Sequence, residues 1–342
     1  MRRPSLTILR RLPGIVLAAL SRPITEPQVV VLFLVVNLGL ATILALPLSG
    51  LLAAELDDNL YGEEMATGAS WRWFDTVSRQ HPHAVGSLGA WTVLLSDEGA
   101  RPRDLARMSG PAAAVAVAGL LLYLLHAVLH TGYLASGRWR SSEGRAAGLL
   151  HRAALFALPA LALAVIAAAG YVAAYGLAYV ATGPPLARLA ETAQSESLHL
   201  LFVWVRLILT LILCLAVKLW SDLAKAALVE VGSWNLWRAA TRAGRELVRR
   251  GWAYALVSVP LAGGTLLLAA LWLLVSAPLV PRTWIGLTLV FLFHQLVLAL
   301  RIVLRLGQLG ATQGVLLVAA VTPPSPRRAA PEPGQPAPGR QE

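Results

Sequence analysis

The sequence predicts an all-α fold: a polytopic membrane bundle of about six transmembrane helices with both termini in the cytoplasm. Three observations predict it. The 342 residues are 57% hydrophobic and only 14% charged, whereas a soluble domain carries about 25% charged residues. Six stretches are apolar and long enough to cross a bilayer. The basic residues between them are concentrated on one side.

The predicted spans follow one another with little ambiguity. They are Val29–Leu48, Pro111–Ala135, Ala153–Thr182, Leu198–Val217, Ala253–Val275 and Trp284–Leu300. The first lies behind a 28-residue basic leader and is too long for the apolar core of a signal peptide, so we interpret it as a retained helix. The third would reach about 45 Å as one helix, so it must tilt, project or bend at Pro159.

Counting Lys and Arg gives the orientation. Segments 1–27, 137–152, 218–251 and 301–342 hold 21 of the 29 basic residues, and the alternate segments hold 7. The positive-inside rule then predicts both termini in the cytoplasm. Only Lys218 and Lys225 are lysines, a bias typical of GC-rich bacterial genomes, so we expect the bacterial inner membrane.

The chain divides into three predicted regions. Residues 1–27 form a basic amphipathic leader along the inner membrane face, and residues 28–322 form the transmembrane domain. The latter includes an acidic, aromatic outer loop, 51–110, and an amphipathic cytoplasmic helix, 233–250. The Pro- and Ala-rich tail, 323–342, is predicted to be disordered because it has too little apolar surface to bury.

The helix 233–250 is predicted to begin at Ser233 as N-cap. Its basic residues form a stripe about 60° wide: Arg238, Arg242, Arg245 and Arg249. Such a stripe binds anionic lipid or an acidic partner. Alternatively, it is a solvated face whose positive charge only follows the positive-inside rule. We expect the bilayer, its anionic lipids and other membrane proteins as partners. The sequence has none of the clustered aromatic and basic strands that bind nucleic acid.

A short motif precedes this helix, where the fourth span is predicted to continue into the cytoplasm. It reads Asp222-Leu223-Ala224-Lys225, followed by Leu228-Val229, and Asp222 and Lys225 can pair across one helical turn. Together with Trp73-Phe74-Asp75 in the outer loop, it resembles uncharacterised bacterial multi-pass inner-membrane proteins with an Asp-x-Ala-Arg/Lys-x-x-Leu-Val element. The resemblance covers roughly residues 20–310 and implies a class but no activity.

Polar residues inside the predicted spans are the candidate functional residues. Arg206 is the most costly to bury, about 2.5–3.5 kcal/mol at a helix centre, so it should contact a partner such as Asn37, Thr42, His294 or Gln295. It is then a substrate or anion contact, an interhelical link, or a side chain that snorkels toward the outer face.

The pair His126 and His130 lies one turn apart on the second span. Two nitrogens could bind a metal, but a zinc site needs a third protein ligand. Interhelical hydrogen bonding is the favoured interpretation. The single cysteine, Cys214, is interpreted as a small buried apolar residue. We therefore predict no catalytic residues, no metal and no cofactor.

Three classes of function remain. A non-catalytic scaffold or partner subunit is favoured, because it needs no buried reactive group. A transporter or permease with a polar path near Arg206 is the alternative, although the predicted spans contain no acidic residue for proton coupling. A membrane-embedded enzyme is third, since no nucleophile, acid and base form a recognisable set.

Overall fold

In a computed structural model, the described residues are 6–57, 111–138, 145–192, 196–232, 235–276 and 284–321. Residues 58–110, Ser233 and the tail 323–342 therefore lie outside the described residues, and so do the predictions made for them. Within the described ranges every element is a helix, and the predicted all-α membrane bundle is confirmed.

Eight helices make up the described bundle. They are α1 (Leu6–Thr25), α2 (Pro27–Asp57), α3 (Pro111–Arg138), α4 (Arg145–Leu155), α5 (Ala157–Thr192), α6 (Glu196–Val231), α7 (Leu236–Ser276) and α8 (Trp284–Val321). Five of them contain a segment long and apolar enough to cross a membrane, and the pair α1–α2, bent by 71°, is a sixth candidate. This agrees with the predicted six.

In two helices the candidate membrane span extends well beyond the end that the hydropathy pattern predicts. The candidate spans reach Val231 on α6 and Ala319 on α8, rather than Val217 and Leu300. Residues 221–229 of α6 are all buried, and the Asp222 carboxylate among them is paired with Arg305 of α8 instead of with water. Asp222 lies in this continuation of α6, buried in the bundle and beyond the predicted end of the fourth span at Val217.

The predicted third span is interrupted near its beginning. Helix α4 ends at Leu155, Phe156 forms a turn, and α5 begins at Ala157. Pro159 lies in the first turn of α5, where its missing N–H removes one helical hydrogen bond. The predicted third span is thus interrupted at Phe156, three residues before Pro159.

The basic leader packs on the last helix. Helix α1 lies against α8, where a Cβ added to Gly314 would come within 2.7 Å of Ile15 Cγ2 and one added to Gly310 within 3.3 Å of Ala19 Cβ. Glycine at these positions lets the two backbones approach closely. The leader therefore forms part of the bundle's packing.

The predicted amphipathic helix and the fifth span are one helix with a break. In α7, Arg250 departs from helical geometry, with φ −139° and ψ 20°. Asn235 caps its beginning, since Asn235 Oδ1 accepts a hydrogen bond from Arg238 N at 3.0 Å. Glu230, at the end of α6, binds Arg242 at 2.9 Å and Arg138 at 3.6 Å. These contacts fix the start of α7 against α3 and α6.

Candidate functional site: a cation-rich cavity

Two polar stripes face each other inside the bundle. On α6, Lys218, Asp222 and Lys225 follow one another at spacings of four and three residues. Arg301, Arg305 and Gln308 repeat this spacing on α8. Residues at these spacings lie on one face of a helix. Because α6 and α8 pack together, the two faces meet.

An ion pair joins the two stripes. Arg305 donates two parallel hydrogen bonds to Asp222, from Nη2 to Oδ1 at 2.6 Å and from Nη1 to Oδ2 at 2.7 Å. The Asp222 side chain is only 1% exposed. This bidentate arrangement is the strongest geometry for an Arg–carboxylate pair. We call it the central ion pair.

Neighbouring groups complete the central ion pair. Lys218 Nζ lies 3.6 Å from Asp222 Oδ2 and donates to Gln308 Oε1 at 2.8 Å. The same Gln308 oxygen accepts from Arg305 Nη1 at 2.9 Å. Gln308 Nε2 donates to the Ser258 carbonyl at 3.4 Å, which connects α7 to the network. The carboxylate and two of the cations therefore have partners within the protein.

A cavity of about 570 Å³ lies beside this network. Its volume is within the usual range of small-molecule sites, about 300–1,000 Å³. Six helices contribute to its wall. The polar lining residues are Asn37, Tyr123, His126, His130, Tyr171, Lys218, Ser221, Asp222, Lys225, Thr265, Arg301, Arg305 and Gln308.

The cavity wall carries more positive than negative charge. Four of its residues are basic and one, Asp222, is acidic. Lys225 is 4% exposed, and among the described residues it has neither a hydrogen bond nor an ion pair within 4 Å. Arg301 also lines the cavity, and its side chain is exposed. Water or an anion in the cavity can accept hydrogen bonds from both cations.

Aromatic and imidazole rings form the opposite wall. Phe33 stacks on both His126 and His130, at ring-centroid distances of 5.7 and 5.4 Å. Asn37 Nδ2 lies 3.3 Å from His126 Nε2. With Asp222 and Lys225, the structure thus places five of the candidate residues together in the cavity wall. In the described ranges, no group of three or more His, Cys, Asp or Glu could hold a metal.

Other candidates lie outside this cavity. Arg206 is 16 residues before Asp222 on α6, about 24 Å along the helix. His294 contacts the Trp272 ring edge-on, at 4.8 Å. Of the four stripe arginines, Arg242 is bound to Glu230, whereas the other three are exposed. We call Arg238, Arg245 and Arg249 the basic face.

Sequence reasoning missed half of the site. Lys218, Arg301 and Arg305 were counted as cytoplasmic charges, and Gln308 and Tyr171 were not considered. One signal could have found them, namely polar residues at positions i, i+4 and i+7 directly after an apolar span. That pattern indicates a helix that continues with one polar face turned inward.

The fold and the cavity together define a polytopic helical membrane protein with a cation-rich internal site. Comparison of the chain with protein-family models, with curated proteins and with solved structures finds no match.

Proposed function

We propose that this protein is a permease-like membrane protein whose cavity binds an anionic ligand. The observation that carries the proposal is the surplus of cations around a cavity of about 570 Å³. Lys225 is the main element of that surplus, because it is buried at 4% exposure and directed into the cavity. Buried charges in proteins are normally paired, and a bound anion supplies the missing partner.

Titration with inorganic phosphate tests the binding step. The full-length protein, in nanodiscs of phosphatidylcholine, is heated in phosphate or in chloride at equal ionic strength. We expect phosphate to raise the unfolding temperature saturably, since a ligand that binds only the folded state stabilises it. Lys225→Gln should lose this response. Arg249→Gln, which removes an exposed charge outside the cavity, should keep it.

Uptake of radiolabelled phosphate into proteoliposomes tests the transport step. Wild type and Arg249→Gln should exchange phosphate faster than empty vesicles, and Lys225→Gln should not. If phosphate stabilises all three proteins equally, the effect comes from the ionic medium and the anion-site proposal is wrong. If binding depends on Lys225 but no exchange occurs, the protein is an anion receptor and not a permease.

A scaffold is the second candidate, and the basic face favours it. Trp237 is 78% exposed and Val248 89% exposed on the same helical segment, so apolar and cationic groups are presented together. Such a segment suits the surface of an anionic leaflet, where each basic residue contributes about 1 kcal/mol. Replacing the three arginines of the basic face with Gln should reduce the enrichment of anionic lipid around the purified protein, as measured by lipid mass spectrometry. Unchanged enrichment would remove the support for this candidate.

A further inference from the structure

We infer that the ligand of the cation-rich cavity is an amphiphile: a phosphate head bound by Lys225 and Arg301, with an apolar chain leaving toward the bilayer. The inference rests on the proposed function and specifies its ligand. Three features carry it: the surplus of positive charge in the cavity, the apolar residues in its wall, and the exposure of Leu266 on the outer surface of α7.

The charge count favours a phosphate. Within the lining, Arg305 and Lys218 are occupied by Asp222 and Gln308. Lys225 and Arg301 remain for a ligand. The lining has four cations and one carboxylate, which leaves a surplus of three positive charges. A phosphate monoester carries a charge of roughly −1.5 to −2 and so offsets more of that surplus than a monocarboxylate does. The planar guanidinium also suits the oxygen pairs of a phosphate.

The rest of the wall suits an apolar chain. Leu122, Ala262, Leu266, Leu298 and Ile302 line the cavity together with Phe33. These side chains offer no hydrogen bond to a second polar group, but they pack well against hydrocarbon. A ligand that fills the cavity therefore has one charged end and one apolar end.

The outer surface of α7 beside Leu266 is where the apolar chain of the ligand would leave the cavity. Leu266 lines the cavity and is also 67% exposed. Its neighbours on the outer surface, Leu267 and Leu274, are 73% and 75% exposed, as expected for residues in contact with lipid tails. A side chain that belongs to both surfaces marks a lateral opening, through which a chain can extend from the site into the bilayer.

Nanodiscs with and without phosphatidic acid test the inference. Thermal unfolding is compared in phosphatidylcholine alone, in phosphatidylcholine with a minor fraction of phosphatidic acid, and in phosphatidylcholine with inorganic phosphate in the buffer. We expect phosphatidic acid to raise the unfolding temperature of wild type and Arg249→Gln, and to have no effect on Lys225→Gln. Its apparent affinity should exceed that of inorganic phosphate at least tenfold.

The lateral opening is tested with two adjacent leucines. Leu266→Gln should weaken the phosphatidic acid response several-fold, and Leu267→Gln should leave it unchanged. Both substitutions place the same polar group in the lipid-facing surface, so they control for a general loss of stability. The response of each variant to inorganic phosphate should equal that of wild type.

The outcomes separate the inference from the proposed function. If inorganic phosphate stabilises as strongly as phosphatidic acid, and Lys225→Gln abolishes both effects, the ligand is a soluble anion. The inference that the ligand is an amphiphile is then wrong, and the proposal of an anion site is kept. Equal weakening by Leu266→Gln and Leu267→Gln overturns the lateral opening. If neither phosphate source gives a response that depends on Lys225, both proposals are wrong.

Discussion

Breaking the central ion pair should destabilise the bundle, and the two partners should not contribute independently. Asp222→Asn keeps the size of the side chain but removes the charge that Arg305 and Lys218 face. The lost interactions are two charge-assisted hydrogen bonds of 2.6 and 2.7 Å, each worth about 1.5–3 kcal/mol. Removing one partner of a buried pair costs about 3–5 kcal/mol. We therefore expect the free energy of unfolding to fall by about 3 kcal/mol.

A double-mutant cycle isolates the pair. Arg305→Gln alone should also cost about 3 kcal/mol, because it leaves the buried carboxylate with Lys218 alone, at 3.6 Å. The double variant should cost little more than either single one, since the carboxylate and the guanidinium are removed together and Lys218 keeps its hydrogen bond to Gln308 Oε1. The coupling energy should then exceed about 2 kcal/mol. Equilibrium unfolding of the reconstituted protein, followed by tryptophan fluorescence, measures all four proteins.

A matched pair elsewhere provides the control. Glu246 and Arg250 lie 3.3 Å apart one helical turn from each other, with side chains 18% and 28% exposed. The corresponding cycle, with Gln at both positions, should give about 0.3–0.5 kcal/mol. If the effects of the Asp222 and Arg305 substitutions on the free energy of unfolding are additive within about 0.5 kcal/mol, the pair does not hold α6 to α8 and this prediction is wrong.

Three further predictions concern packing and topology. Gly132→Ala should destabilise the protein by about 1–3 kcal/mol, because the new Cβ would lie 2.6 Å from Ala153 Cβ and 2.9 Å from the Leu149 oxygen. Gly119→Ala on the same helix is the control: its Cβ meets nothing within 4 Å, so it should be neutral or stabilising. Equal unfolding temperatures for the two variants would contradict this prediction. Glu230→Gln should speed hydrogen exchange at the start of α7 by releasing Arg242, whereas Glu246→Gln should leave that segment protected. Reporter fusions at the two termini should both be active in the cytoplasm, and a fusion active outside the cell would refute the orientation.

The apolar part of the fold is predictable from sequence, because each span is recognisable within its own window of about 20 residues. The ends of the spans are not predictable in this way. A hydropathy window ends where charged residues begin, so it stopped before Lys218 on α6 and before Arg301 on α8. Whether such a charge enters water or pairs inside the bundle depends on a partner far away in the chain. Asp222 and Arg305 are 83 residues apart.

The cavity was only partly predictable for the same reason. Asn37, His126 and His130 stood out because they are polar residues inside apolar windows, but their convergence depends on the packing of α2 against α3. Lys225 was singled out by a local motif and assigned to the wrong partner. It is near Asp222 in sequence, yet Arg305 occupies both carboxylate oxygens.

The contact between α1 and α8 has a consequence for biogenesis. Ile15 and Leu20 pack on Gly314 and Gly307, so α1 leaves the ribosome about 290 residues before the helix that completes this contact. At about 5–20 residues per second, that interval lasts roughly 15–60 s. During that interval, the surface of α1 that packs on the glycines of α8 lacks this partner. Nascent chains that stop before α8 would expose this surface to quality-control proteases, which could use it to distinguish unfinished copies from complete ones.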